Sequence, residues 1–144
     1  MTAERSAMLA PGEGEVVLRG GVGVIRKISA AATGGTFSVV EHPLEPGALA
    51  APPHTHADVD EYSFVIEGEI GVLMGEETFK AAAGAYVLKP RGVPHTFWNP
   101  GPKPARAARL GTRGLPPLGL GCSSGSKGSM IVHNSSGNNC FTIV

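Results

Sequence analysis

Apolar residues in this chain come in short alternating runs, and glycine or proline interrupts them about every eight to twelve residues. A two-residue period places successive side chains on opposite faces of an extended strand, and no stretch sustains the 3.6-residue stripe of an amphipathic helix. The pattern predicts strands at 16–18, 22–28, 36–42, 62–67, 69–74, 77–81, 85–89 and 95–98. Turn-forming stretches such as "TGG", "EPG", "EGE", "MGEE" and "NPGP" separate them. Antiparallel strands this short bury one face and protect their edges only by closing on themselves or stacking in two layers, so the pattern implies an all-β sandwich or barrel.

The two ends read differently from the middle. Residues 1–14 are small, polar and rich in glycine and proline, as in a flexible arm, and residues 15–109 form the barrel domain. From Leu110 the composition shifts: residues 110–144 hold six serines, three asparagines and both cysteines, against four serines and one asparagine before them. Two short apolar pieces, 130–133 and 140–144, flank "NSSGNN" and could pair as a terminal hairpin on a sheet edge; the alternative for this Gly/Ser-rich tail is disorder.

A chain of 144 residues fits one domain with one core. Twelve basic residues balance twelve acidic ones, which excludes the electrostatic footprint that nucleic acid or an anionic membrane requires and favours a small-molecule substrate or ligand. The start "MTAERSAMLAPGEGE" lacks the features of a secretory signal, and no stretch approaches the roughly 20 apolar residues of a membrane span, so the expectation is a soluble, cytoplasmic protein. Cys122 and Cys140 form no C-x-x-C pair and are expected as free thiols. "GGVGV" at 20–24 is a strand entry, since no G-x-G-x-x-G opens a helix there, and the acceptor pattern Asn134-Ser135-Ser136 stands without a secretory signal.

The chemistry concentrates in two stretches. In "PPHTHADVDEYSFVIEG" (52–68), His54 and His56 share one face and Thr55 points away, which makes a pincer. Glu61 follows His56 by five positions, the wrong parity for one continuous strand, so "ADVD" must bend for the carboxylate to rejoin the imidazoles. Beyond it Glu61, Ser63 and Val65 face one way and Tyr62, Phe64 and Ile66 the other. The second row needs a cover, which a second subunit would supply, so a homodimer is expected. In "GAYVLKPRGVPHTFWN" (84–99), Gly84 and Gly92 allow sharp turns, Pro90 and Pro94 stiffen the corner, and the corner aims His95. His42 and His133 read as satisfied structural histidines, and Asn99 as a turn-former or supporting group.

These stretches resemble the two motifs of the cupin superfamily. The first, G-x5/6-H-x-H-x3/4-E-x6-G, is met by Gly47, His54, His56, Glu61 and Gly68; the second, G-x5-P-x-G-x2-H-x3-N, by Gly84, Pro90, Gly92, His95 and Asn99. The resemblance covers about residues 20–100 and is greatest to small single-domain cupins. It implies an antiparallel, cupin-type double-stranded β-helix (jelly-roll) barrel with a metal site of His54, His56, Glu61 and His95 in its mouth. Such proteins continue past the second motif with an apolar strand and a short helix that close the barrel, and "ARAARLGTRGLPPLG" supplies neither.

Three neutral imidazoles and one carboxylate suit one divalent transition ion per chain, Fe, Mn, Ni, Co, Cu or Zn, and the donor set does not choose among them. Glu61 is either the fourth ligand or a catalytic base beside a three-histidine ion. Four protein ligands leave one or two positions open, which fits a metalloenzyme of dioxygenase type or isomerase/lyase type acting on a small oxygenated molecule, with Val65 and Phe97 as a drying wall. The alternative is a non-catalytic cupin that binds a small ligand or assembles with partners, its metal structural or absent, since no Ser–His or Cys–His nucleophile arrangement accompanies the motifs.

Overall fold

The computed structural model describes residues 8–112, and the expected terminal hairpin, His133 and both cysteines lie outside them. Nine strands follow one another: β1 (Glu15–Leu18), β2 (Val24–Ile28), β3 (Phe37–Leu44), β4 (Glu61–Glu67), β5 (Glu69–Met74), β6 (Glu77–Ala82), β7 (Tyr86–Lys89), β8 (His95–Trp98) and β9 (Ala105–Thr112). Among the described residues the one helical turn is a 3-10 turn at Ala31–Thr33, and no helix is long and apolar enough to cross a membrane. Every pairing is antiparallel, in a six-stranded sheet of order β1-β2-β3-β9-β4-β7 and a three-stranded sheet of order β6-β5-β8. The result is the expected all-β jelly-roll.

The inner faces of the two sheets enclose one core of Leu44, Val65, Ile70, Val72, Ala81, Val87, Phe97, Ala105 and Ala107. These residues come from the period-2 rows: β3 buries every second side chain from Ser38 to Leu44, and β4 buries Glu61, Ser63 and Val65. Gly71 of β5 is paired with Trp98 of β8, and a Cβ there would stand 2.3 Å from the indole ring. The missing side chain is what lets Trp98 lie flat on β5.

One sequence expectation is corrected. "ARAARLGT" does supply a closing strand: β9 lies between β3 and β4 at the centre of the larger sheet and runs to Thr112, past the change in composition at Leu110. It escapes a hydrophobic pattern because its inward residues are Ala105, Ala107, Arg109 and Gly111. Small side chains suit the middle of a sheet that faces a filled interior, and they give no alternation of large apolar with polar.

Candidate metal centre

The two histidine stretches are zipped together by backbone. Residues 47–54 run antiparallel to β8 and its flanks: Gly47 donates its N–H to the Asn99 carbonyl (3.0 Å) and Ala50 to Phe97 (2.9 Å), and His54 and His95 exchange N–H···O bonds of 3.1 and 2.9 Å. His54 and His95 thus sit opposite each other as a bridged pair. The chain then bends at Ala57–Asp58, as the parity of Glu61 requires, and enters β4. A side-chain clamp secures the bend. The Asp60 carboxylate accepts from the Arg91 backbone N–H (2.9 Å), Nε (3.1 Å) and Nη2 (2.7 Å), and the fork holds its pKa down at about 2. Gly92, in the left-handed region at φ 77°, donates to the His56 carbonyl at 2.8 Å.

Asn99 closes the corner. Its buried side chain donates to the carbonyls of Leu44 (3.1 Å) and Lys103 (2.7 Å) and accepts from the Gly101 N–H (2.9 Å), so it pins the turn after β8 and faces no cation.

This framework brings all four predicted side chains together. One donor atom from each of His54, His56, Glu61 and His95 lies within 4.8 Å of the others. Nδ1 of His54 lies 2.8 Å from the Pro52 carbonyl and Nδ1 of His95 lies 3.0 Å from that of Val93. A carbonyl can only accept, so the proton resides on Nδ1 and Nε2 presents a bare lone pair. The Nε2 atoms of His54, His56 and His95 are all buried without a hydrogen-bond partner among the described residues. Two such acceptors converging with the Nε2 of His56 on one point are a poor fit to a hydrogen-bonded core and a good fit to a cation.

Burial lowers the pKa of His54, and it lowers that of His95 to about 4. Both rings are therefore neutral at pH 7, the form that ligates. Glu61 lies with Oε2 3.4 Å from Nε2 of His56 and 4.0 Å from Nε2 of His95. Burial alone would raise its pKa, but the Lys89 and Arg109 cations beside it hold it well below the carboxylate range.

Those two cations were not foreseen. Lys89 is fully buried at the end of β7, with Nζ bonded to Glu61 Oε1 and 4.5 Å from the centre of the Phe97 ring. Arg109 reaches from β9 to Glu61 Oε2 with Nη1 at 3.2 Å. A signal for Lys89 was present in the strand parity. In "YVLK" the inward row that contains Val87 also contains Lys89, while Tyr86 and Leu88 are 82% and 52% exposed.

His42 also differs from expectation. It sits on the inner face of β3 with Nδ1 3.0 Å from the Gly23 carbonyl, but its Nε2 is buried and unpartnered among the described residues, so the ring is only half satisfied. Burial, with help from Arg109, lowers its pKa to about 3.

The lowered imidazole values fix a pH dependence. A ring with its pKa depressed in the folded state binds its proton more readily when unfolded, so the metal-free protein loses stability as pH falls below about 6.5, down to the folded values near 4 and 3. Each such ring contributes a slope of up to about 1.4 kcal/mol per pH unit. Urea unfolding of chelator-treated protein at pH 7.0 and 5.0 is expected to show the lower midpoint at pH 5.0; equal midpoints contradict the buried neutral rings.

The comparisons with known proteins agree with this fold. The family described as "Cupin domain" matches residues 40–110, which span both histidine stretches and most of β9. Residues 40–110 are thus a cupin domain. A sugar phosphate isomerase of the cupin superfamily from Silicibacter pomeroyi is similar in structure (TM-score 0.58, 30% identity), the match covering 65% of this chain and 60% of that one. The match to a Thermus thermophilus protein has TM-score 0.58 and 25% identity and covers 64% and 83% of the two chains. A predicted oxalate decarboxylase from Thermotoga maritima shares the fold at TM-score 0.61 and 18% identity, over 64% and 80%. The chain thus spans 60% of the length of the Silicibacter protein. No curated protein sequence matches it.

Proposed function

We propose that this cupin is a metal-dependent enzyme acting on a small oxygenated organic molecule, of isomerase/lyase or dioxygenase type, with His54, His56, His95 and Glu61 as the ligand set. The observation that carries the reading is the convergence on an ionised carboxylate of three buried Nε2 atoms that have no hydrogen-bond partner among the described residues. The likeness to a sugar phosphate isomerase at 30% identity favours the isomerase branch. A divalent ion held there would polarise a carbonyl or enolate oxygen placed at an open coordination position.

The chain's own residues do the rest. The carbonyls of Pro52 and Val93 fix the tautomers of His54 and His95. Val65 and Phe97, both buried, keep water out of the interior. Glu61, kept ionised by Lys89 and Arg109, either completes the ligand set or takes up a proton from the substrate as general base.

Elemental analysis and turnover assays test this together. The expected result is one transition ion per chain with conversion of enols, β-diketones, thiols, flavonols or ketose/aldose pairs that chelation abolishes. One ion per chain with no turnover and no dioxygen uptake would overturn the catalytic reading. A second reading, a non-catalytic ligand-binding or assembly cupin, draws on one observation: both Glu61 oxygens already face cations from the chain itself, so the barrel needs no metal to neutralise that carboxylate.

Assembly and location belong to the same reading. The outer face of β7, β4 and β9 carries Tyr86, Leu88, Tyr62, Phe64 and Leu110, with the Tyr86 and Phe64 rings 4.7 Å apart, and supports a homodimer built over it. The balanced charge supports a small-molecule partner, and cysteines without a pairing pattern support the cytoplasm.

A further inference from the structure

Beside the ligand cluster, the inner face of the larger sheet holds polar groups that neither the core nor the metal centre uses. Across the sheet one rung reads Val87, Ser63, Arg109, Val40; the rung on one side reads Lys89, Glu61, Gly111, Ser38, and on the other Val65, Ala107, His42. Ser38 Oγ, Ser63 Oγ, His42 Nε2 and Arg109 Nε are all buried and without a hydrogen-bond partner among the described residues. Ser38, His42 and Ser63 are at least nine-tenths buried. An unpaired buried polar group is costly, so four in adjoining rungs point to a partner from outside the described residues.

Their chemistry describes that partner. Arg109 gives Nη1 to Glu61 and leaves its Nε edge free, a donor edge that matches a carboxylate. His42 has Nδ1 committed to the Gly23 carbonyl, which can only accept, so Nε2 is a bare acceptor that requires a donor such as a hydroxyl. The two hydroxyls of Ser38 and Ser63 serve either role. Arg109 is flanked in the inward row of β9 by the small residues Ala107 and Gly111. Cross-sheet diagonals put Cβ atoms of Arg109 and His42 about 7–8 Å apart or less, so the carboxylate and the hydroxyl belong to one short molecule.

We propose that Arg109, His42, Ser63 and Ser38 form a binding site for a short hydroxycarboxylate, the carboxylate on the Nε edge of Arg109 and the hydroxyl donating to His42 Nε2. This deepens the proposed enzymatic reading by naming its substrate class, since the site adjoins Glu61 and delivers the far end of the ligand to the metal centre. The acceptor at His42 is what separates this site from a general anion pocket.

Calorimetric titration of 3-hydroxybutyrate against butyrate, on metal-loaded and on chelator-treated protein, tests it. The hydroxy acid is expected to bind roughly tenfold tighter or better in both forms. His42→Phe is expected to abolish that preference while leaving butyrate affinity unchanged, and Arg109→Gln to weaken both acids by roughly tenfold or more. Ser63→Ala alters no charge and is expected to weaken 3-hydroxybutyrate several-fold, which keeps the test decisive should a charged or aromatic replacement fail to fold. Equal binding of the two acids by the wild-type protein, or wild-type affinity in Ser63→Ala and Arg109→Gln, overturns the site. Discrimination by a protein that takes up no transition ion even when metal is supplied leaves this site standing and defeats the metal reading alone; one ion per chain without discrimination does the reverse.

Discussion

Replacing His56 with alanine is expected to reduce bound transition metal from about one ion per chain to a small fraction of that, and to remove the metal-induced rise in thermal stability. The ring is buried, among the described residues its Nε2 has no partner other than the cluster, and it stands 3.4 Å from Glu61. A cation that binds the folded state and not the unfolded chain adds about 2.7 kcal/mol at one hundred times its dissociation constant, so metal-loaded wild-type protein should unfold several degrees above chelated protein. In His56→Ala the two curves should nearly coincide. Thermal unfolding with and without chelator, beside elemental analysis of the same samples, reads the effect. Full occupancy in the variant would falsify the assignment of His56 as a ligand.

A second large effect is expected at Lys89. Its ammonium is wholly buried against the Glu61 carboxylate and the Phe97 ring, and removing one partner of a buried ion pair costs about 3–5 kcal/mol, a large share of the 5–15 kcal/mol that holds a typical domain together. Lys89→Ala should therefore lower the urea midpoint sharply. The sign with pH follows from Glu61: its folded pKa lies below its unfolded value, so the pair's contribution is present above the unfolded pKa and is lost as pH falls. With Lys89 gone the folded pKa of Glu61 should rise toward its unfolded value, so the acid-dependent loss that this pair contributes should shrink. The double variant Lys89→Met, Glu61→Gln removes both charges and should recover much of the single variant's loss. A Lys89→Ala protein as stable as wild type at pH 7 contradicts the buried pair.

Much of this was legible in the order of residues. Period 2 located β3 to β8 closely, because Val, Ile and Phe alternate there with polar residues, and the bend at Ala57–Asp58 followed from the odd spacing of His56 and Glu61. His54, His56, Glu61 and His95 fell together because each lies in a local frame the sequence specifies: a bridged extended segment, the first residue of a strand, and a Gly/Pro corner.

Features that depend on long-range pairing were hidden. β9 carries no large inward apolar residue, so nothing in its own pattern announces a central strand. Strand parity turns Lys89 inward with Val87, but its partner Glu61 is set by the β4–β7 register. Arg109 becomes a partner of Glu61 only through the β4–β9 register, which no local rule predicts. The unpaired nitrogen of His42 was missed because a lone histidine in a strand is ordinarily a satisfied one.

Anomalous diffraction from crystals grown with a first-row transition metal tests the central assignment most directly. The account predicts a single strong peak per chain, about 2.0–2.2 Å from Nε2 of His54, His56 and His95. A peak elsewhere, or none between those three rings at full metal loading, contradicts it.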